Sequence, residues 1–374
     1  MIQKLKLNNF TVFKELEIDF SSKINIIIGE NGTGKSHLLK AAYALCSANT
    51  IDEKFHETEN DLIPAITDQL VRVFMPPDNK LGKMRRNGVK EDAKMKAEFV
   101  FDKKIDIKFS SRHKEIDIIS SSNYERYSWN PIFIPTKEIL SFLKGFGSED
   151  LDKEVLQVMF DQTYFDLAAS LLSQGNEEND KARAYNVAED IVNGIKGCFT
   201  LKDTDMLFQP GKYQKYKDPK DIREKGQERY FKPKSGELYS THMMAEGFRK
   251  FGIIQTLLQN GSLIPGVTGT LFWDEPESNM NPQLMKLIVE ALLELSRKGQ
   301  QIVLATHDYV LLKWFDLLMK EEDHVRFHSL YRDEDSSEVK ITSTDEYALI
   351  SKNAIAETFT ELYNVDIDKS FGDI

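Results

Sequence analysis

The sequence predicts an α/β fold, in which short apolar strands alternate with helices and polar groups gather where the strands end. Three segments carry that prediction. The apolar run Ile24–Ile28 leads into Gly29-Glu-Asn-Gly-Thr-Gly-Lys35-Ser36, and a helix is expected from Lys35 to Leu45. Thr270–Trp273 is followed by two acids and a helical segment, Pro282–Arg297. Gln301–Ala305 is followed by Thr-His-Asp and a helix near Val310–Met319. Each segment has the order strand, polar turn, helix, which puts ligand-binding groups at the carboxyl ends of strands.

The remaining elements follow in order. Ile2–Leu7 and Leu16–Phe20 read as strands bounded by polar residues. Residues 50–130 are broken by Pro64, Pro76, Pro77, Gly82 and Gly88, and then offer short strands at Ala97–Phe101, Ile105–Phe109 and Glu115–Ile119, which suit an antiparallel sheet. Pro131–Pro135 encloses a further buried strand. Residues 137–200 switch to helical spacing and read as a helical insertion with no strand signal. Residues 202–240 are polar and punctuated by Pro210, Gly211, Pro219, Gly226, Pro233 and Gly236, which predicts loop. A long helix is expected from about Met244 to Leu258, on the spacing of Phe248, Phe251, Ile254, Leu257 and Leu258. Strands at Val325–Tyr331 and Glu338–Thr342 and a helix at Asn353–Tyr363 complete the chain.

The composition, 41% hydrophobic and 29% charged over 374 residues, is that of a globular protein with a substantial core. The formal net charge of -11 argues against a generally nucleic-acid-binding surface, while leaving room for a local basic one. Two cysteines, Cys46 and Cys198, lie far apart without metal-ligand spacing, as expected in a reducing cytoplasm. Met1-Ile-Gln-Lys-Leu-Lys lacks the apolar core of a signal peptide, and no run approaches the roughly 18–20 apolar residues of a membrane span. The expectation is a cytoplasmic protein without membrane partners.

The run from Gly29 to Ser36 fits G-x-x-x-x-G-K-[ST], the phosphate-binding loop of nucleotide hydrolases. Its glycines let backbone N–H groups face phosphates, and the following helix adds positive potential at its N-terminus. Gly29, Asn31, Gly32, Thr33, Gly34, Lys35, Ser36 and His37 are therefore the candidate ATP-binding residues, with Lys35 reaching the β- and γ-phosphates and the Ser36 hydroxyl ligating Mg²⁺. Asp274 and Glu275 end an apolar strand. Asp274 suits the Mg²⁺ shell, and Glu275 suits the general base that polarises the attacking water. His307, after the next strand, can hydrogen-bond the γ-phosphate or position that water. Lys35, Glu275 and His307 form the candidate catalytic set.

Together GENGTGKS, LFWDEPESNMNP and LATHD resemble the core of the ABC-type ATPases, and the opening of the chain, with Asn9-Phe10 before a strand, resembles the RecF/SMC/OLD branch, including bacterial AAA family ATPases of defence and overcoming-lysogenization type. The resemblance implies a P-loop NTPase with an ABC-ATPase head, an N-terminal antiparallel β region and a helical insertion. It also implies two heads, as a homodimer or a higher oligomer, that sandwich ATP with a signature helix supplied in trans. That signature matches Met244–Lys250 best, with Gly247 on the usual second glycine and Ala245 replacing the usual serine. Ser278 and Asn281 fall in the D-loop, whose usual acidic fourth residue is replaced by Asn281. Thr136, Lys137 and Glu138 occupy the Q-loop region without a glutamine. The expected division is residues 1–136 and 236–374 for the two parts of the head and 137–235 for the helical insertion and basic loop.

Residues 212–239 interleave Lys212, Lys215, Lys217, Lys220, Arg223, Lys225, Arg229, Lys232 and Lys234 with Tyr213, Tyr216, Tyr230, Phe231 and Tyr239. Such a mixture can track a nucleic-acid backbone and stack on bases, although a solvated loop is the plainer reading. Lys83, Arg85, Arg86 and Lys90 form a smaller basic group. Three functions compete. The first is a Mg²⁺-dependent ATPase that dimerises on ATP in DNA-related or anti-phage defence work, with a separate effector subunit. The second is an ATP-switched scaffold with very slow hydrolysis. The third is a transporter nucleotide-binding subunit, disfavoured by the altered signature and the long insert.

Overall fold

The structure is a computed structural model and describes residues 1–48, 59–124, 129–148, 152–173, 178–202, 204–217, 220 and 228–371. It divides into two compact units: residues 1–133, 269–276 and 301–374 form the first, and residues 134–268 and 277–300 the second.

The first unit contains β1 (Ile2–Phe10), β2 (Phe13–Asp19), β3 (Ile24–Gly29), α1 (Lys35–Ser47), α2 (Glu59–Phe74), β4 (Ala93–Phe99), β5 (Lys103–Phe109) and β6 (Asp117–Ser122). Strands β2-β1-β4-β5-β6 form the expected antiparallel sheet. Their alternation is legible in β4, where Ala93, Met95, Ala97 and Phe99 are buried and the residues between them are not. Within that sheet, β6 begins two residues later than the sequence predicts, at Asp117. Helix α2 corrects the sequence reading, which saw only breakers around Pro64. Leu62, Ile66, Leu70 and Val73 are all fully buried along one face, and this packing outweighs the backbone hydrogen bond that Pro64 cannot make.

Strand β7 (Ile132–Ile134) lies at one edge of a second, six-stranded sheet. Its order is β15-β14-β3-β13-β12-β7, where β12 is Leu271–Asp274, β13 Ile302–Ala305, β14 Arg326–Arg332 and β15 Val339–Thr344. The pairs β12–β13, β13–β3 and β3–β14 are parallel, while β14–β15 is antiparallel. Every residue of β3, β12 and β13 is buried, as the continuous apolar runs of parallel strands require. Helix α1 lies in one hydrophobic core with both sheets and α2.

The second unit holds α3 (Leu143–Gly147), α4 (Lys153–Met159), α5 (Gln162–Leu172), α6 (Glu178–Ile195), α7 (Glu246–Asn260) and α8 (Pro282–Arg297). The helical insertion stops earlier than predicted, because Gly197–Lys202 is a strand, β8. It pairs antiparallel with β9 (Asp205–Lys215), which also pairs with β10 (Arg229–Pro233) and β11 (Tyr239–Ser240). Much of the loop expected over 202–240 is therefore strand, in β9, β10 and β11, with irregular residues between them. Pro210 and Gly211 lie inside β9 where it changes neighbours: Pro210 is the last residue opposite β8 and Gly211 the first opposite β10. A Cβ at Gly211 would come within 2.5 Å of the Phe231 ring, so this strand position needs a glycine. Arg223 and Lys225, named in the basic cluster, lie outside the described residues. The chain closes with α9 (Tyr309–Leu318) and α10 (Ala354–Phe371) in the first unit.

Candidate functional site

The register of the parallel strands brings the predicted residues to one sheet edge. Asp274 lies opposite Ala305, and Ala305 lies opposite Ile27, two residues before Gly29. The phosphate loop, the Asp274–Glu275 pair and Thr306–His307 thus all leave the carboxyl ends of neighbouring strands within the first unit.

The loop is built for close backbone approach. Gly34, the N-cap of α1, has φ 91°, and a Cβ there would fall 2.6 Å from Val12 Cγ2 and 2.8 Å from Phe13 Cζ. A Cβ on Gly29 would overlap the Leu330 carbonyl of β14. The Thr33 hydroxyl donates to the Glu30 carbonyl at 2.8 Å, and the Lys35 ammonium donates to the carbonyls of Gly29 at 2.7 Å and Glu30 at 3.2 Å. The loop is therefore curled around a buried cation. Helix α1 begins with no side-chain cap and no acid in its first turn, leaving its N-terminal N–H groups and dipole suited to an anion. Arg332, at the end of β14, donates from Nη2 to the Gly32 carbonyl at 2.9 Å. No local motif announced this contact, because it joins residues 300 positions apart in sequence. Asn31 is exposed at the loop tip, and Ser36 is half-buried in the first turn of α1. The His37 ring packs edge-on against Phe74 at 5.8 Å, and burial lowers its pKa, so its neutral ring belongs to the α1–α2 packing. What His37 can offer a nucleotide is its backbone N–H.

Asp274 is buried, with 6% of its surface exposed, at the end of β12. Glu275 takes a left-handed backbone, φ 51°, held by its N–H donating to the Ala305 carbonyl at 2.9 Å. Such a conformation costs of order 1 kcal/mol for a residue with a Cβ. Here it accompanies a contact of 3.1 Å between Glu275 Oε1 and His307 Nδ1. Both side chains are partly exposed, His307 by 50% and Glu275 by 24%, so the pair can reach water. Asp308 caps α9 by accepting from the Leu311 N–H at 2.7 Å, which fixes where the strand ends and His307 projects. A carboxylate paired with an imidazole beside a phosphate-binding loop can orient and deprotonate a water.

The residues expected to form the signature and the D-loop lie in the second unit. Ala245 is the exposed N-cap of α7, with no side chain to cap it, and Gly247 is buried. A Cβ at Gly247 would stand 3.4 Å from Met280 Cα and 3.6 Å from the Asn279 carbonyl, so the start of α7 and the segment before α8 are in close contact. Asn281 caps α8, its side chain accepting from the Gln283 N–H at 3.0 Å, with Pro282 at the first helical position. The side chain that replaces the usual acid is thus engaged in holding a helix start. Ser278 is half-buried beside it. Glu138, in the Q-loop region, is buried and pairs with Arg249 of α7 at 2.9 Å. Arg249 also donates to the carbonyls of Met244 at 2.7 Å and Thr241 at 3.2 Å, which anchors the start of α7.

Known proteins resemble this chain in sequence and in fold. A family model described as an AAA domain matches residues 4–224. A second AAA-domain model, whose description refers to a Type IV toxin–antitoxin system, matches residues 161–313. DNA replication and repair protein RecF of Bacillus thuringiensis (strain Al Hakam) is 42% identical over 60 residues, which is 16% of this chain and 15% of RecF. The protein of the same name from Bacillus cereus (strain B4264) gives the same figures. The match thus spans 15% of the length of these relatives. Among solved structures, an Smc head bound to the C-winged helix domain of ScpA superposes with a TM-score of 0.50 at 13% identity, over 92% of this chain and 97% of that one. The fold is that of a P-loop ABC-ATPase head. Among the described residues no helix is long and apolar enough to cross a membrane.

Proposed function

The chain belongs to the AAA-domain family, and from that premise we propose that it is a Mg²⁺-dependent ATPase whose heads close on one another around ATP. The observation that carries the reading is the meeting of the Lys35 loop, Asp274 and the Glu275–His307 pair at one edge of a parallel sheet. In this reading the loop N–H groups and Lys35 hold the β- and γ-phosphates. Glu275 takes the proton of the attacking water, and His307 orients Glu275 and that water. Ser36 and Asp274, a hydroxyl and a buried carboxylate, are the donors suited to Mg²⁺. When bound, the ion neutralises charge developing on the phosphates. Ala245 and Gly247 would meet the γ-phosphate of the other head through the N–H groups of α7, with Ser278 and Asn281 at the contact between heads. The expected setting is DNA-related or anti-phage work in the cytoplasm with a separate effector subunit. The toxin–antitoxin description and the RecF relatives support that setting.

Steady-state phosphate release with Mg-ATP tests the proposal, with Lys35→Ala and excess EDTA as controls. Turnover abolished by both supports it; turnover unaffected by Lys35→Ala removes the assigned site. A second reading, a nucleotide-held scaffold with slow hydrolysis, is favoured by Ala245, which has no hydroxyl, and by Asn281, whose side chain is occupied in capping. Tight ATP binding with negligible phosphate release would select it.

A further inference from the structure

We infer that the outer face of the ribbon formed by β9 and β10 binds the phosphodiester backbone of a nucleic acid. This assignment does not rest on the ATPase reading, because it concerns residues of the second unit alone.

The register divides the ribbon into two faces. Arg229 lies opposite Lys215, and Phe231 opposite Tyr213. Arg229 on this face ion-pairs with Glu189 at 3.3 Å and Asp190 at 3.4 Å on α6, and the aromatic pair stacks edge-on at 5.8 Å. That is the face turned to the unit's interior. The other face carries Lys212 directly opposite Lys232, and Gln214 opposite Tyr230. Lys234 extends the same row, its N–H donating to the Pro210 carbonyl at 2.8 Å. All three lysines are exposed, and none forms an ion pair with a described residue. Beside them the rings of Tyr216 and Tyr230 lie 4.8 Å apart, half-buried, with the Tyr230 hydroxyl donating to Gln214.

Two like charges directly opposite one another destabilise a strand pair. A β-ribbon edge is commonly protected from self-pairing by lysine and proline, which accounts for Lys232, Pro233 and Lys234 on β10. It does not account for Lys212 standing directly opposite Lys232, where the two charges repel. On a chain of net charge -11, three lysines in a row, without an ion pair to any described residue and beside an aromatic pair, have the chemistry of a polyanion site. The regular backbone supplies a fixed spacing for the charges, and the rings offer a surface on which a base can stack.

The test is fluorescence anisotropy of the full chain, without nucleotide, on labelled double-stranded and single-stranded DNA over a salt series. Three phosphate contacts predict an affinity that falls about 40-fold on duplex, or about 20-fold on single strand, between 50 and 200 mM salt. The triple variant Lys212→Gln/Lys232→Gln/Lys234→Gln should bind at least tenfold more weakly at 100 mM salt, with the salt slope reduced by about 2 to 3. Its melting temperature should be unchanged or raised, because an opposed like-charge pair is gone. Loss on Tyr230→Leu confined to the single-stranded probe identifies that strand form as the ligand; equal binding by that variant identifies the duplex. The inference is overturned if the wild-type chain binds neither probe, or if the triple variant keeps its affinity and slope. It is also overturned if polyglutamate displaces the probe as well as unlabelled DNA does, which would make the occupant an acidic protein surface.

Discussion

Replacing the glycines of the phosphate loop one at a time by alanine should give three different losses of stability, because three different obstacles meet the added methyl group. At Gly32 it finds only Arg332 Nη2, 3.8 Å away, so the cost is the backbone alone, about 1–2 kcal/mol for a left-handed residue. At Gly34 the same backbone cost is joined by overlap with Val12 Cγ2 at 2.6 Å and Phe13 Cζ at 2.8 Å. Overpacking of this kind adds about 1–3 kcal/mol, giving roughly 2–5 kcal/mol in total. At Gly29 the obstacle is the Leu330 carbonyl, part of a paired strand, which cannot swing aside as a side chain can. Gly29→Ala should therefore be the worst of the three. Urea unfolding of the full chain, followed by tryptophan fluorescence, gives the order. Val12→Ala placed on Gly34→Ala should recover part of the loss, and placed on Gly29→Ala should recover none. Equal losses at Gly32 and Gly34, or a Gly29→Ala protein within 1 kcal/mol of wild type, would refute the packing argument.

Further outcomes follow from other contacts. Glu138→Gln leaves the Arg249 guanidinium mostly buried without its carboxylate and should cost roughly 2–4 kcal/mol, read by urea unfolding. The Glu138→Gln/Arg249→Met double variant should lose less than the sum of its single changes. Arg332→Gln removes a charged donor from the exposed edge of the phosphate loop and should weaken ATP binding by about 1 kcal/mol, or roughly fivefold, measured by calorimetry. His328 is buried between Ser343 at 2.8 Å and Asn25 at 3.2 Å, and burial lowers its pKa to about 3. The unfolded chain then binds the extra proton first, so the stability from the neutral ring is present above about pH 6.5 and is lost as pH falls toward 3. Between pH 7 and pH 5 this amounts to about 2 kcal/mol, a dependence that His328→Gln should largely remove.

The parts of the site that were legible in the sequence are those whose chemistry is local. The strand, loop and helix around Lys35 are contiguous, and Asn281-Pro282 marks the start of α8 because a cap and a first-turn proline act within one turn. The elements misread are those decided by distant neighbours. Pro64 ends a helix on local grounds, but α2 persists because Leu62, Ile66, Leu70 and Val73 are buried. Pro210 and Gly211 signal a loop locally, yet they mark the point where a single strand exchanges β8 for β10. The Arg332–Gly32 contact and the Glu138–Arg249 pair depend on tertiary placement and leave no signature in spacing. Glu275 and His307 could each be named from strand ends alone, but their 3.1 Å contact and the left-handed backbone at Glu275 could not.

The most direct test of the central claim is Glu275→Gln in Mg-ATP, with phosphate release and ATP binding measured on the same preparation. The account predicts that phosphate release falls by at least 10²-fold, the order expected for loss of a general base, while ATP affinity stays within a few-fold of wild type. Light scattering should then show the heads held together by unhydrolysed ATP. Wild-type turnover in that variant would contradict the assignment of Glu275 as the base, and with it the composite site at the edge of the parallel sheet.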